Sequence, residues 1–214
     1  SLHQPHFKTT RRDVYLSGHR IRLLALLGVF ALSGCSSEQD QFRYAMNLIF
    51  AGDAKGGARM LTPLAETGHA PSQLRLALLY QLGKGVPRDQ RRAAHWFAMA
   101  ARQGDVGGQY GLAVSYLRGI NGPPSPELAY QEFHKLAERG YAPAQHYVGI
   151  ANALGQGIAR NEQQAIYWLE RAANGGHPDA AHRLATAYLK GELGLVPDQQ
   201  QAQFWQQKTH PPRF

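Results

Sequence analysis

The chain has 214 residues, 43% of them hydrophobic, 18% charged and 10% aromatic, which excludes a disordered chain and leaves enough apolar surface for a packed core. A single Cys excludes a disulfide framework and a Cys-rich metal cluster. The formal charge of +8 does not argue for nucleic acid: residues 1–34 hold five Lys/Arg and one acid, and the remainder has 18 basic and 14 acidic residues, a small excess with no basic stripe.

The first element is a leader. Lys8, Arg11, Arg12, Arg20 and Arg22 precede an apolar run that ends in Leu32-Ser33-Gly34-Cys35, the order of a secretory signal peptide. The uncharged stretch Leu23–Gly34 has 12 residues, about 18 Å as a helix against a hydrocarbon core of about 30 Å. Leu32, Ser33 and Gly34 before Cys35 resemble the lipobox of bacterial lipoproteins. That resemblance implies a cleaved signal peptide over 1–34 and acyl groups on Cys35, which becomes the first mature residue. Ser36, rather than Asp, implies sorting to the outer membrane, on its periplasmic face. A first helix beginning near Glu38 leaves three residues of tether, about 10 Å when extended, so the N-terminal repeat is expected close to the membrane.

Residues 35–214 read as one unit copied at a spacing of 36: Leu76, Leu112, Val148 and Leu184 share a column, as do Ala77, Ala113, Gly149 and Ala185. Tyr44, Tyr80, Tyr116 and Tyr188 form another, interrupted by Asn152, and Gln73, Gln109 and Gln145 a further one. Apolar residues at i, i+3, i+4 and i+7 predict two helices per unit, A and B. Gly83, Gly119, Gly155 and Gly191, with Asn47 in the first unit, stand where helix A ends, in the left-handed position glycine tolerates. Asp53, Asp89, Ser125, Asn161 and Asp198 then offer N-caps for helix B. Trp96, Trp168 and Trp205 share a column in helix B after a one-residue insertion near Glu192–Val196; Glu132 breaks it, with Phe133 next door to fill the gap. The first unit places Asp40 and Gln41 in core columns.

The pattern resembles the Sel1-like repeat, a relative of the tetratricopeptide repeat. Residues 70–105 carry it most fully, 142–177 nearly so, 106–141 more weakly and 37–69 in degenerate form, with a last copy at 178–208 and a tail at 209–214. The resemblance implies an all-α fold, a right-handed α/α solenoid of about five hairpins. It also implies a scaffold that binds protein partners, in the manner of Sel1-like lipoproteins of secretion or exopolysaccharide-export assemblies. In such folds helix A lines the concave face. The candidate binding face is then Leu74, Tyr110, His146 and His182 in one column, Leu78, Val114 and Ile150 in a second, and Leu117 and Leu189 in a third. An apolar strip of this kind suits a partner segment.

No catalytic motif and no His pair at helical spacing occurs, so neither an enzyme nor a metal or cofactor is expected beyond the acyl groups on Cys35. An alternative reading is a periplasmic glycan or peptidoglycan module, which needs Tyr110, Tyr130 and Tyr167 exposed for sugar stacking. A third, an envelope hydrolase, needs a polar cluster in a deep pocket.

Overall fold

The computed structural model describes residues 37–209. The expected signal peptide, the expected lipobox residues Leu32, Ser33 and Gly34, and Cys35 lie outside the described residues. The chain divides into two compact units, Ser1–Asp40 and Gln41–Phe214. The described part of the first is a capped helical turn: the Asp40 N–H donates to Ser37 Oγ at 3.1 Å, and the Ser37 hydroxyl donates to the Asp40 carboxylate at 2.9 Å.

Among the described residues there are ten α-helices and no strand. They are α1 (Glu38–Phe50), α2 (Ala54–Glu66), α3 (Ala70–Leu82), α4 (Gln90–Arg102), α5 (Val106–Arg118), α6 (Pro126–Glu138), α7 (Ala142–Leu154), α8 (Glu162–Asn174), α9 (Pro178–Lys190) and α10 (Gln199–Gln207). Odd-numbered helices are the A members and even-numbered the B members of five hairpins. No helix among the described residues is long and apolar enough to cross a membrane.

The stops and starts follow the predicted chemistry. Gly83, Gly119, Gly155 and Gly191 cap their helices at φ 70, 63, 73 and 69°, where a Cβ would be strained. All five predicted N-caps accept a backbone N–H in the first turn of helix B: Asp53 from Gly56, Asp89 from Arg92, Ser125 from Leu128, Asn161 from Gln164, and Asp198 from Gln200 and Gln201. A second bond closes each later hairpin. The N–H of the cap residue donates back to the carbonyl of the Tyr column: Asp89 to Tyr80 at 3.0 Å, and Ser125 to Tyr116, Asn161 to Asn152 and Asp198 to Tyr188 at 2.9 Å. The insertion at Glu192–Val196 leaves this closure intact. It is absorbed by Leu193, a non-glycine residue at φ 56° that is 7% exposed, and is tied down by Arg183 Nη1 donating to Glu192 Oε2 at 2.6 Å.

The core runs through the hairpins as a chain of small and large residues. Leu76, Val148 and Leu184 are 0–1% exposed, and Phe97, Phe133 and Leu169 of the B helices 4%, 2% and 0%. Helices approach closely where a glycine allows it: a Cβ on Gly149, in the small column, would sit 2.8 Å from Leu169, and one on Gly111 would run into the Phe97 ring. Phe133 therefore belongs to the Phe97 column rather than standing in for the missing Trp. Trp168 and Trp205 are buried at 6% and 5%, while Trp96 is half-buried.

Two expectations for the first hairpin are corrected. Asn47 does not end helix A; α1 runs on to Phe50 and turns at Gly52, φ 94°. The connection is Ala51–Asp53, four residues shorter than Gly83–Asp89. The Asp53 N–H accordingly closes onto Leu48 at 2.8 Å, so Leu48 takes the Tyr role. Tyr44, one turn earlier, is 57% exposed. The same one-turn slide moves the core off Asp40 and Gln41 and onto Ala45 and Met46, 0% and 8% exposed. Ala45 then faces Gly57 across the hairpin, its carbonyl 2.9 Å from where a Gly57 Cβ would sit. Without a glycine at 47 the helix has no reason to stop, and a shorter loop takes up the difference.

Candidate functional site

The nine residues of the candidate face all lie on A helices, but they are not equally free. Leu74, Leu78, Tyr110, Val114, Leu117, His146 and Ile150 are half-buried, and His182 and Leu189 exposed. The half-buried members join successive hairpins. Leu74 reaches Gly107 of the next A helix so closely that a Cβ there would come within 2.9 Å of its methyls. Leu78 packs on the cluster of Ala77, Ala93 and Phe97. Val114 and Leu117 pack on Ala113, Phe133 and Val148, and Ile150 on the last core cluster, which contains Leu169 and Leu184. The face is thus the outer margin of the inter-repeat core, with its free end at His182 and Leu189.

The polar groups on this margin are constrained. Tyr110 stands edge-on to Phe133 and Tyr141, with centroids 5.3 and 5.8 Å apart; burial, then Tyr141, raises its phenol above the usual range. His146 does not lean toward His182, its column mate. It stacks on His177 at 4.4 Å and 19°, at the N-cap of α9. Burial, then the His177 ring, lowers the His146 pKa, with Asp179 opposing. The Nδ1 of His177 and the hydroxyl of Tyr147 are buried without a hydrogen-bond partner among the described residues. Burial raises the Tyr147 phenol as well, with Glu127 adding to it. No group of three or more His, Cys, Asp or Glu able to hold a metal occurs among the described residues.

Two features went unread in the sequence. The Gln column carries a job: Gln73 and Gln145 are 0% and 3% exposed, and their amides donate to the carbonyls of Ala65 and Ala137 at 3.0 Å, tying each A helix to the preceding B helix. Behind them a latch repeats. Gln103 donates to Gly68 O and Gln73 Oε1, both at 2.9 Å, and Arg139 to Gly104 O at 3.3 Å and Gln109 Oε1 at 2.8 Å. The spacing of 36 was the available signal, but Gln and Arg in one column look unrelated until both are seen as donors. The second feature lies on the B helices. Arg171 sits over Tyr167 and Trp168 at 5.6 and 5.9 Å, and Lys208 over Phe204 and Trp205 at 4.9 and 5.1 Å. Tyr167 and Phe204, equivalent after the insertion, are 46% and 48% exposed. Asn152, the gap in the Tyr column, is served from the opposite side: its amide donates to the Tyr130 hydroxyl at 3.2 Å and to Val148 O at 2.8 Å.

Hairpins held in register by the same caps, closures and latches, presenting equivalent positions along one face, define a helical repeat solenoid, a class that works through its surface. The Sel1 repeat model matches residues 70–105, 106–141, 142–177 and 178–208, and the chain belongs to the Sel1 repeat family. The first hairpin, residues 37–69, lies outside those matches, in keeping with its slipped register. Among solved structures, the chain is similar to a Sel1 repeat protein from Oxalobacter formigenes (22% identity, TM-score 0.71, covering 83% of this chain and 72% of that one). It is also similar to c5321, a protective antigen of uropathogenic Escherichia coli strains with an SLR fold (23% identity, TM-score 0.75, covering 80% of this chain and 38% of that one). Both likenesses concern the fold. Among curated proteins, chitin synthase regulatory factor 2 of Schizosaccharomyces pombe is 34% identical over 58 residues, 27% of this chain. The match spans 11% of the length of that relative.

Proposed function

We propose that this protein is a non-enzymatic Sel1-repeat scaffold of the bacterial envelope, which grips a protein partner along its A-helix face while acyl groups on Cys35 hold it to the periplasmic side of the outer membrane. The observation that carries the reading is the face itself: apolar side chains recurring in three columns of the A helices, Leu74 with Tyr110, Leu78 with Val114 and Ile150, and Leu117 with Leu189, all half-buried except the exposed Leu189. Such a strip is matched by an amphipathic or extended segment rather than by a small molecule. One relative is named as a regulatory factor of an enzyme, which is a role in kind with a scaffold. The lipobox supplies the anchor, and the short spacing from Cys35 to Glu38 keeps the first hairpin near the lipid. A secretion or exopolysaccharide-export assembly is the kind of machine such a tethered scaffold serves.

Labelling with radioactive palmitate tests the anchor: label enters the wild type and not Cys35→Ala. A photocrosslinking residue at Leu189 tests the face: a discrete partner is captured there and not from the same probe at Arg102 on α4. Absence of label, or equal capture from both positions, overturns the corresponding half of the reading.

The glycan alternative retains one motive. Tyr110 is locked against Phe133 and Tyr141, and Tyr130 is half-buried, but Tyr167 and Phe204 present exposed rings beneath cations. Sedimentation with purified peptidoglycan, lost on Tyr167→Ala with Phe204→Ala, supports that alternative; no sedimentation of the wild type removes it.

A further inference from the structure

The loop from α5 to α6 departs from its counterparts at several columns together. In the second and fourth hairpins, Gly85 and Gly157 both take φ 72°, and a Cβ on either would overlap the backbone of the preceding B helix, at Ala54 and at Pro126. Those loops lie directly on their neighbours. In the third hairpin the column holds Asn121, which has a Cβ and does not share the left-handed backbone. One residue further, Val86 and, past the insertion, Leu195 are half-buried and pack on the cores of their own regions; the fourth loop has Ile158 there, 41% exposed, and the third has Gly122. Within α5, Ser115 stands where α3 has Leu79, which is 3% exposed, and where α7 and α9 have the fully buried Ala151 and Ala187. Relative to the second hairpin, two apolar side chains are cut back in the same place.

The space they leave is a cavity of about 260 Å³ walled by Leu112, Tyr116, Ile120, Pro123 and Leu128. Its rim is open at Leu128, 42% exposed. Charge has been stripped from it too: Ile120 and Leu128 occupy the columns of Lys84 and Arg92. The serine hydroxyls in the wall are committed, Ser115 donating to Gly111 O at 2.7 Å and Ser125 Oγ accepting the Leu128 N–H at 3.3 Å. The volume falls below the roughly 300–1,000 Å³ of small-molecule sites and above the roughly 150 Å³ hole that takes a benzene, which suits one or two hydrocarbon side chains.

We propose that this cavity is a socket for a Val- or Leu-type side chain projecting from the protein partner, which there takes the place Val86 takes in the second hairpin. The proposal rests on the scaffold reading and adds where, and by what chemistry, the partner is gripped.

Refilling the socket from within tests it. Gly122 has open space around it and no left-handed φ, so Gly122→Val restores the missing plug without strain; Ser115→Leu restores the Leu79 column. The full chain, with methyl-labelled Leu and Ile, is titrated with N-acetyl-leucine methylamide and, as control, N-acetyl-lysine methylamide. The leucine amide is expected to give saturable shifts at Leu112, Ile120 and Leu128, at least tenfold weaker in Gly122→Val, whose thermal midpoint is unchanged or raised. No saturable shift in the wild type, the same response in the refilled variants, or an equal response to the lysine amide overturns the proposal. In cells, the partner captured from Leu189 should be lost or reduced at least tenfold in Gly122→Val. Capture that persists undiminished sinks the socket and leaves the scaffold standing, whereas leucine-amide binding without any capture sinks the scaffold and leaves the socket.

Discussion

The first and fourth hairpins are built from one pattern and have come out differently. In α7–α8, a glycine ends helix A, the loop lies on the preceding B helix through Gly157, and the turn closes from Asn161 to Asn152. In α1–α2, helix A overruns by a turn, the loop is three residues, and Tyr44 and Phe50 are left 57% and 77% exposed. Both B helices keep their inner residues, Leu61 and Leu169 being 0% exposed. The difference teaches that helix B carries the register and that helix A takes whatever phase its stop signal dictates.

The largest expected effect separates core from overrun. Leu169→Ala should lower unfolding free energy by about 2–5 kcal/mol, and Phe50→Ala, on the exposed overrun, by less than about 0.5 kcal/mol, both by denaturant titration. Similar losses would mean that Phe50 is held as firmly as Leu169. The loops come next. Gly157→Ala meets both a left-handed backbone and the Pro126 main chain, whereas Gly52→Ala, at φ 94°, meets nothing within 4 Å. The former should cost at least about 2 kcal/mol and the latter about 1 kcal/mol, and a reversed order would refute the account of the loop seating.

A smaller effect has the opposite sign. The buried Tyr147 hydroxyl lacks a partner among the described residues, so Tyr147→Phe should leave stability unchanged or raise it by up to about 1 kcal/mol, while Tyr44→Phe in the first hairpin should do nothing measurable. A marked loss in Tyr147→Phe would reveal a hydrogen bond. The smallest effect is one of pH. Because the folded chain lowers the His146 pKa from 6.5, the protonated ring is disfavoured in the folded state. That contribution to stability is complete above 6.5 and is lost as pH falls through the lowered folded value. His146→Asn should therefore flatten the pH dependence of the melting temperature over that acidic interval; an unchanged slope would assign it to other groups.

Much of the fold was legible because caps and stops are local. Asp89 or Asn161 can cap a helix with information contained in four residues, and a glycine at C′ can end one without reference to the rest of the chain. The candidate face was legible only as a set of columns. Which members stay open depends on how nearly two A helices approach, and that distance is set by pairs such as Leu74 and Gly107, or Gly149 and Leu169, that no periodicity ranks.

By itself, the sequence determined the repeat and, beyond the first hairpin, the helix ends and the inner core, since each follows from backbone preferences and spacing within one hairpin. Tertiary structure alone decided the pairing of His146 with His177 rather than His182 and the donor latch of Gln103 and Arg139. Each is an outcome between hairpins, where side chains from distant parts of the chain compete for the same few ångströms and only their packed arrangement shows which one fills the space.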